Sequence, residues 1–388
     1  MNSIVAAATE ALPLIEIGGA LLLLGLVAYG AAKIGVSAVP FFLITGLAFG
    51  NGGLVDIQVS ENFFNIGAQI GALLLLLLLG LEYSAREISK ALKERMSAGL
   101  IDLLNSIPGV VLAIILGWPL VGIIAMGGIT YVSSSGIAAQ LIRDSGWARS
   151  EVARRTISIL VLEDLILAPY LPLVTALALG IGVVGGAISV GVAIAITGIV
   201  LVLGVRNERL ISRILNSREP NALLLTVFGL ALFAAGIATL VGFSGAVAAF
   251  LVGLLLTGEV AEVVRIRLAP LRDLFASLFF LFFGLATDPA DIFATFHLVI
   301  PLVIAGVLTK FITGRFIGKG LSDPMSWRRI SAFLVPRGEF SIVIAGLLTG
   351  LSFSAQLQAI TASYVILTTV AGSFLVLFFQ SQLGRPRS

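Results

Sequence analysis

Apolar runs of roughly 15 to 25 residues follow one another along almost the whole chain, separated by short charged clusters. That rhythm decides the solvent in which the chain folds. Thirteen such runs can be read, at 12–32, 36–50, 62–82, 98–117, 119–141, 156–179, 184–205, 221–241, 243–258, 273–287, 294–314, 329–350 and 355–379. The 36–50, 243–258 and 273–287 runs are short for a span; each extends into its flanks or is partly re-entrant. Strands of a membrane barrel would alternate in polarity, whereas Leu73 to Leu79 are consecutive leucines. Composition closes off the soluble alternatives. Only 12% of the 388 residues are charged, against roughly 25% in soluble domains, and the mean hydropathy is +1.10. The expected fold is therefore an all-α polytopic membrane protein of about 13 transmembrane helices, forming a single membrane domain over 1–388 with no soluble regulatory domain. The chain stops nine residues after the last run, so any regulatory domain is expected on a separate chain.

Orientation follows from the basic residues. With the N-terminus outside and the C-terminus cytoplasmic, all but two of the 24 Lys and Arg fall in inner loops. The outer loops carry Asp56, Glu61, Asp288 and Asp291 instead. The net charge of +3 is thus a topology signal and implies no nucleic-acid partner; the expected surroundings are membrane lipid. The chain has no Cys and a single His, which leaves no thiol chemistry and no His cluster for a catalytic metal. Gly314 to Lys319 has the wrong spacing for a phosphate-binding loop, so ATP-driven chemistry by this chain, and enzyme activity in general, are not expected.

The two basic residues outside the loops are Lys310 and Arg337, and acids fall inside runs at Asp102, Glu163, Asp164 and Glu339. A charge at mid-membrane costs at least about 2.5–3.5 kcal/mol, so such residues pair, face a cavity and mark function. Glu163 and Asp164 sit in Ile159-Leu160-Val161-Leu162-Glu163-Asp164-Leu165-Ile166-Leu167, too deep for a short side chain to reach an interface. Adjacent helical residues point about 100° apart, so one acid can face a cavity while the other faces a neighbouring helix. Lys310 is the obvious partner, although a lysine there could also extend its stem to the inner surface. Asp102 lies about one turn from an inner boundary and reads equally well as interfacial; Asn105, one turn deeper, is the stronger polar marker.

Two runs are interrupted near their middles. The first carries Thr130-Tyr131-Val132-Ser133-Ser134-Ser135-Gly136, the second Val335-Pro336-Arg337-Gly338-Glu339-Phe340-Ser341. Pro and Gly loosen a helix, and a freed backbone at membrane depth lines a cavity. Arg337 and Glu339 could compensate the dipoles of the half-helix ends. The serines alone also fit simple close helix packing. The interrupted runs lie seven apart, so runs two to six map onto runs nine to thirteen with inverted topology. This predicts two inverted five-helix repeats, about 36–179 and about 243–379, with crossed discontinuous helices and a site near the midplane.

At these residues the chain resembles the monovalent cation:proton antiporters, in the Kef-like branch. The markers are Gly80-Leu81-Glu82, Ser133-Ser134-Ser135-Gly136, Leu162-Glu163-Asp164-Leu165, Phe279-Phe280-Leu281-Phe282-Phe283-Gly284-Leu285 and Arg337-Gly338-Glu339-Phe340. The resemblance covers nearly the whole chain. It implies a homodimer in the plasma (inner) membrane of a prokaryote, with a scaffold domain and a core domain that moves like an elevator. It implies that Asp164 binds cation and proton in competition, making it the site of the transported K⁺ (favoured) or Na⁺, with no other cofactor. Relatives with Asp before this position tend to be electrogenic and those with Asn or Gln electroneutral; Glu163 matches neither pattern. Glu–Asp in a short chain is similar to potassium/proton antiporters that work with a separate soluble regulatory subunit. Glu163 is expected beside Asp164 at the cation/proton-binding site, and the expected supporting groups are Lys310, Ser133, Ser134, Asn105, Arg337 and Glu339. A sodium-coupled symporter of an organic anion, and a cation channel, are the alternatives; no Thr-Val-Gly-Tyr-Gly-like filter is present.

Overall fold

The computed structural model describes residues 2–33, 38–50, 53, 61–82, 97–147, 150–180, 191, 219–240, 245–256 and 258–383. The candidate span 184–205 and the basic segment 84–95 lie outside the described residues, as do Asp56, Arg149, Arg206, Arg209, Arg213, Arg218, Arg385 and Arg387. The described secondary structure is helical throughout. In lipid each backbone N–H and C=O must find its partner within the segment, and a helix provides this.

The helices run α1 Asn2–Lys33, α2 Val39–Phe49, α3 Glu61–Glu82, α4 Ser97–Ile115, α5 Leu120–Tyr131, α6 Ser135–Asp144, α7 Glu151–Ala178, α8 Pro220–Leu240, α9 Gly245–Leu255, α10 Gly258–Leu285, α11 Pro289–Ile317, α12 Ser326–Leu334, α13 Glu339–Gly346 and α14 Ser354–Leu383. Six stretches among the described residues are long and apolar enough to cross a membrane: Ser97–Ile115, Leu120–Ile142, Asn221–Leu240, Val260–Leu285, Pro289–Ile317 and Ser354–Phe379. Large apolar side chains point outward along them, among them Leu225, Phe233, Leu240, Phe293, Leu308 and Phe374. In water such a surface would drive association; in a bilayer it is the lipid-facing surface. The chain is an all-α polytopic membrane protein.

Polar residues set the helix ends. Ser150 accepts a hydrogen bond from the Ala153 N–H and begins α7, and Asp288 accepts from the Ala290 N–H and begins α11. Pro289 follows at the first helical position, where its missing N–H costs nothing, and Arg315 sits in the last turn at the negative end. The basic residues Arg265, Arg267 and Arg272, expected in a loop, lie instead within the long α10, so the short 273–287 run is extended backwards. Once the membrane portion is helical, each further residue adds one hydrogen bond without a new nucleus, so the solvated extension stays helical. Among the described residues the 36–50 and 243–258 runs hold the 11-residue helices α2 and α9.

Two packed groups form. In one, α2, α3, α8, α9 and α10 contact one another; in the other, α4 to α7 pack with α11 to α14. The groups meet where α14 touches α2, α9 touches α7 and α10 touches α13. Within the first group, glycines bring backbones together. A Cβ at Gly80 of α3 would land on the Phe250 carbonyl oxygen and 2.9 Å from Gly253 Cα of α9. A Cβ at Gly46 of α2 would land on the Leu281 carbonyl oxygen and 2.7 Å from Gly284 Cα of α10. Gly80→Ala is therefore expected to push α3 and α9 apart, at a cost of about 1–3 kcal/mol. It should lower the melting temperature in detergent, whereas Gly229→Ala, where nothing lies within 4 Å of the added carbon, should not.

Candidate functional site

The site sits where two helices break and cross. α5 ends at Tyr131 with Val132 extended, residues 132–134 are non-helical, and α6 starts at Ser135. α12 ends at Leu334, residues 335–338 are non-helical, and α13 starts at Glu339. The two non-helical segments are tied to each other. The Ser134 N–H donates to the Pro336 carbonyl at 2.9 Å, and Ser133 Oγ donates to the Leu334 carbonyl at 2.9 Å. A Cβ at Gly338 would come within 2.6 Å of Ser134 Oγ, so this close crossing requires glycine there. Ser341 Oγ donates to the Ile129 carbonyl at 2.9 Å. On the far side, Thr368 Oγ1 accepts from the Arg337 N–H at 3.2 Å and Thr369 Oγ1 donates to the Arg337 carbonyl at 3.1 Å. The polar groups released by the breaks are thus met by side chains of facing helices, as a buried backbone requires.

Four helix ends converge here, and each pair meets an opposite charge. The fully buried Arg337 guanidinium donates to the Thr130 carbonyl from Nε (3.1 Å) and Nη2 (2.9 Å). Its Nη1 donates to the carbonyls of Leu334 (2.9 Å) and Val335 (2.8 Å). These carbonyls belong to the C-terminal ends of α5 and α12, where the backbone dipoles leave partial negative charge. Glu339, in the first turn of α13, accepts from Ser134 Oγ at 2.9 Å, and Ser134 Oγ also accepts from the Ile137 N–H in the first turn of α6. The carboxylate therefore lies at the N-terminal ends of both second halves, where partial positive charge collects.

Beside the crossing lies a buried ionic cluster. Lys310 Nζ of α11 is 2.8 Å from Glu163 Oε1 of α7 and 2.9 Å from Asp102 Oδ1 of α4. Asp102, Glu163, Asp164 and Lys310 are each at most 1% exposed. Glu163 also accepts a short hydrogen bond from the Ser133 N–H to Oε2, and the Ser133 hydroxyl shares its single proton between the Leu334 carbonyl and Oε1 at 3.1 Å, which links the cluster to the first break. The Tyr131 ring lies 5.8 Å from Lys310 Nζ. Asn105 Nδ2 donates to the Asp102 carboxylate at 2.8 Å and to Thr313 Oγ1 at 3.2 Å. Asn105 lies in a single 3-10 turn, Leu103–Ser106, just before Pro108. Pro108 cannot donate back along the helix, and the tightened turn holds Asp102 and Asn105 facing α11.

The structure thus gathers Glu163, Lys310, Ser133 and Asn105 into one network, and Ser134, Arg337 and Glu339 around the crossing. Asp164, next to Glu163 on α7, is buried with them. Lys310 does not reach for the surface; it is enclosed and held by two carboxylates. Asp102, read from sequence as equally well interfacial, is fully buried and is a direct partner of Lys310. Distance from the end of its own helix does not report this burial, because it is α11 that covers Asp102. The i, i+3 spacing of Asp102 and Asn105 was the available signal.

Comparison with known proteins places this arrangement. The family model described as "Sodium/hydrogen exchanger, transmembrane" matches residues 19–380. Over 92% of this chain and 91% of the relative, the sequence is 30% identical to the K(+)/H(+) antiporter subunit KhtU of Bacillus subtilis. It is 28% identical to the ammonium/H(+) antiporter subunit AmhT of Alkalihalophilus pseudofirmus, over 95% and 93% of the two chains. Among solved structures, the sodium proton antiporter MjNhaP1 from Methanocaldococcus jannaschii shares the fold, with a TM-score of 0.70 at 17% identity, covering 94% of this chain and 99% of that one.

Proposed function

The chain belongs to the monovalent cation:proton antiporter superfamily, whose members are transporters and not enzymes, and we propose that it exchanges K⁺, or alternatively Na⁺, for protons by elevator-type alternating access. The observation that carries this reading is the buried Glu163–Asp164 pair beside two crossed helix breaks. In the cycle, deprotonated Asp164 binds a partly dehydrated cation, with oxygens of Ser133 and Ser134 close by and Asn105 acting through Asp102. Protonation of Asp164 releases the ion. Cation and proton exclude each other at one carboxylate, so the carrier crosses only when loaded and the two gradients are coupled.

The arrangement of about 13 helices in two inverted repeats, about 36–179 and about 243–379, is supported by the glycine contacts. Under that mapping α2 corresponds to α9 and α3 to α10. The Gly46–Gly284 contact is then the image of the Gly253–Gly80 contact. The contact between the two breaks and the α4–α11 contact each join elements that the mapping exchanges, which supports the same relation. The division into two packed groups supports a scaffold of α2, α3, α8, α9 and α10 and a mobile core of α4 to α7 and α11 to α14. A homodimer through the scaffold, in a prokaryotic plasma membrane with N-terminus outside and C-terminus cytoplasmic, completes the reading. The word "subunit" in the names of both relatives supports a separate regulatory chain, and KhtU supports K⁺ as the cation.

The test is proton movement into proteoliposomes followed with a pH-sensitive dye while K⁺, Na⁺ and Li⁺ are added in turn. The reading predicts a cation-evoked, saturable proton flux with K⁺ or Na⁺. No proton flux with any monovalent cation would refute it.

A further inference from the structure

We infer that Tyr170 is a positioning residue for cation binding: its hydroxyl, engaged with one turn of α5, fixes where that helix delivers the oxygens of Ser133 and Ser134 against the α7 carboxylates. The inference rests on the reading of Asp164 as the shared site with those oxygens close by.

α5 and α7 run antiparallel and are joined by polar contacts at two levels. At the first, the Ser133 N–H donates to Glu163. At the second, the Tyr170 hydroxyl accepts from the Gly128 N–H at 3.1 Å and donates to the Ile124 carbonyl at 2.6 Å. Glu163 and Tyr170 are separated by close to two full turns, so they share one face of α7, about 10 Å apart along its axis. Ile124 and Gly128 are the acceptor and donor that an α-helix pairs in a single turn, and the hydroxyl engages both. It reaches them because residue 128 is glycine: a Cβ there would land on the Tyr170 hydroxyl. A single contact at Ser133 would leave α5 free to slide or rotate about that point. A second contact two turns away fixes both its height and its rotation against α7. Asp164, next to Glu163, moves with α7, whereas Ser133 and Ser134 follow the end of α5. The relation between the carboxylate and the serine oxygens is therefore set by how the two helices are held together. The hydroxyl bonds only to main chain of α5 among the described residues, so it acts on the cation through that relation. The Tyr170 ring packs against the apolar core independently of its hydroxyl.

Tyr170→Phe keeps the ring and deletes the hydroxyl, and the Gly128 N–H can then bond the Ile124 carbonyl within α5, so the protein should fold. Proton flux is measured in proteoliposomes of the full chain, with K⁺ or Na⁺ as the exchanged ion. The KM for the cation should rise about fivefold to tenfold, while maximal flux stays within about twofold of wild type. The factor should be the same at every pH tested, because proton and cation compete at Asp164 and only the cation loses oxygens from its surroundings. Gly128→Ala expels the hydroxyl from the turn with Tyr170 still present, and should raise KM as well. A folded variant of either kind with wild-type KM would overturn the inference. So would a loss of maximal flux at unchanged KM, or a factor that changes with pH. Failure of Tyr170→Phe to fold would overturn it too, since the hydroxyl would then serve the fold alone. Exchange that persists in Asp164→Asn contradicts instead the shared-site reading beneath it.

Discussion

Asp164→Asn is expected to abolish coupled exchange, lowering cation-evoked proton flux at least about 100-fold, the size expected when a transferring group is removed. The amide matches the carboxylate in shape but carries no charge and no exchangeable acid proton. The neutral carrier would resemble the permanently protonated state, able to reorient and unable to load a cation. Because the amide keeps the shape of the side chain, folding should survive, and size-exclusion profile and melting temperature separate a lost function from a lost protein. Flux within a fewfold of wild type would refute Asp164 as the coupling site.

Arg337→Leu is expected to be the most damaging single change to stability. It removes a buried guanidinium that serves the carbonyls of Thr130, Leu334 and Val335, at the C-terminal ends of both first half-helices. Each buried acceptor left without a donor costs about 1–3 kcal/mol, so three of them approach about 3–6 kcal/mol even after some relaxation. Glu339, the charge of opposite sign at the crossing, would remain. Little folded protein should be recovered from membranes. Arg337→Lys should fail to restore it fully, because an ammonium lacks the planar fork that reaches both half-helices at once. Recovery of Arg337→Leu at wild-type yield and melting temperature would show that the crossing holds without this cap.

Much of this was legible in sequence because a membrane makes charge expensive. The residues that break an apolar run stand out against it, and Glu163, Asp164, Lys310, Arg337 and Glu339 did so by depth alone. The two breaks were visible as Ser133-Ser134-Ser135-Gly136 and Pro336-Arg337-Gly338, because Pro and Gly act through the local backbone. Partnership was less legible. Asp102 and Glu163 meet at Lys310 across separations of 208 and 147 residues, and depth within one helix does not report what a distant helix lays over it. Nor could sequence show that Arg337 binds main-chain carbonyls, since Thr130, Leu334 and Val335 contribute atoms that every residue possesses. The basic stretch of α10 reads as a loop in sequence because charge density marks the membrane boundary and not the end of a helix.

The central claim is that one carboxylate, Asp164, is shared by cation and proton. It is tested most directly by titrating the purified protein with K⁺ and with Na⁺ in a calorimeter, in buffers of different ionisation enthalpy. At a pH where Asp164 holds its proton before the cation arrives, binding should release one proton per cation bound, and apparent affinity should fall about tenfold for each unit the pH is lowered. Asp164→Asn should show neither binding nor release. Cation binding without proton release across the pH range, or release that persists in Asp164→Asn, would contradict the account.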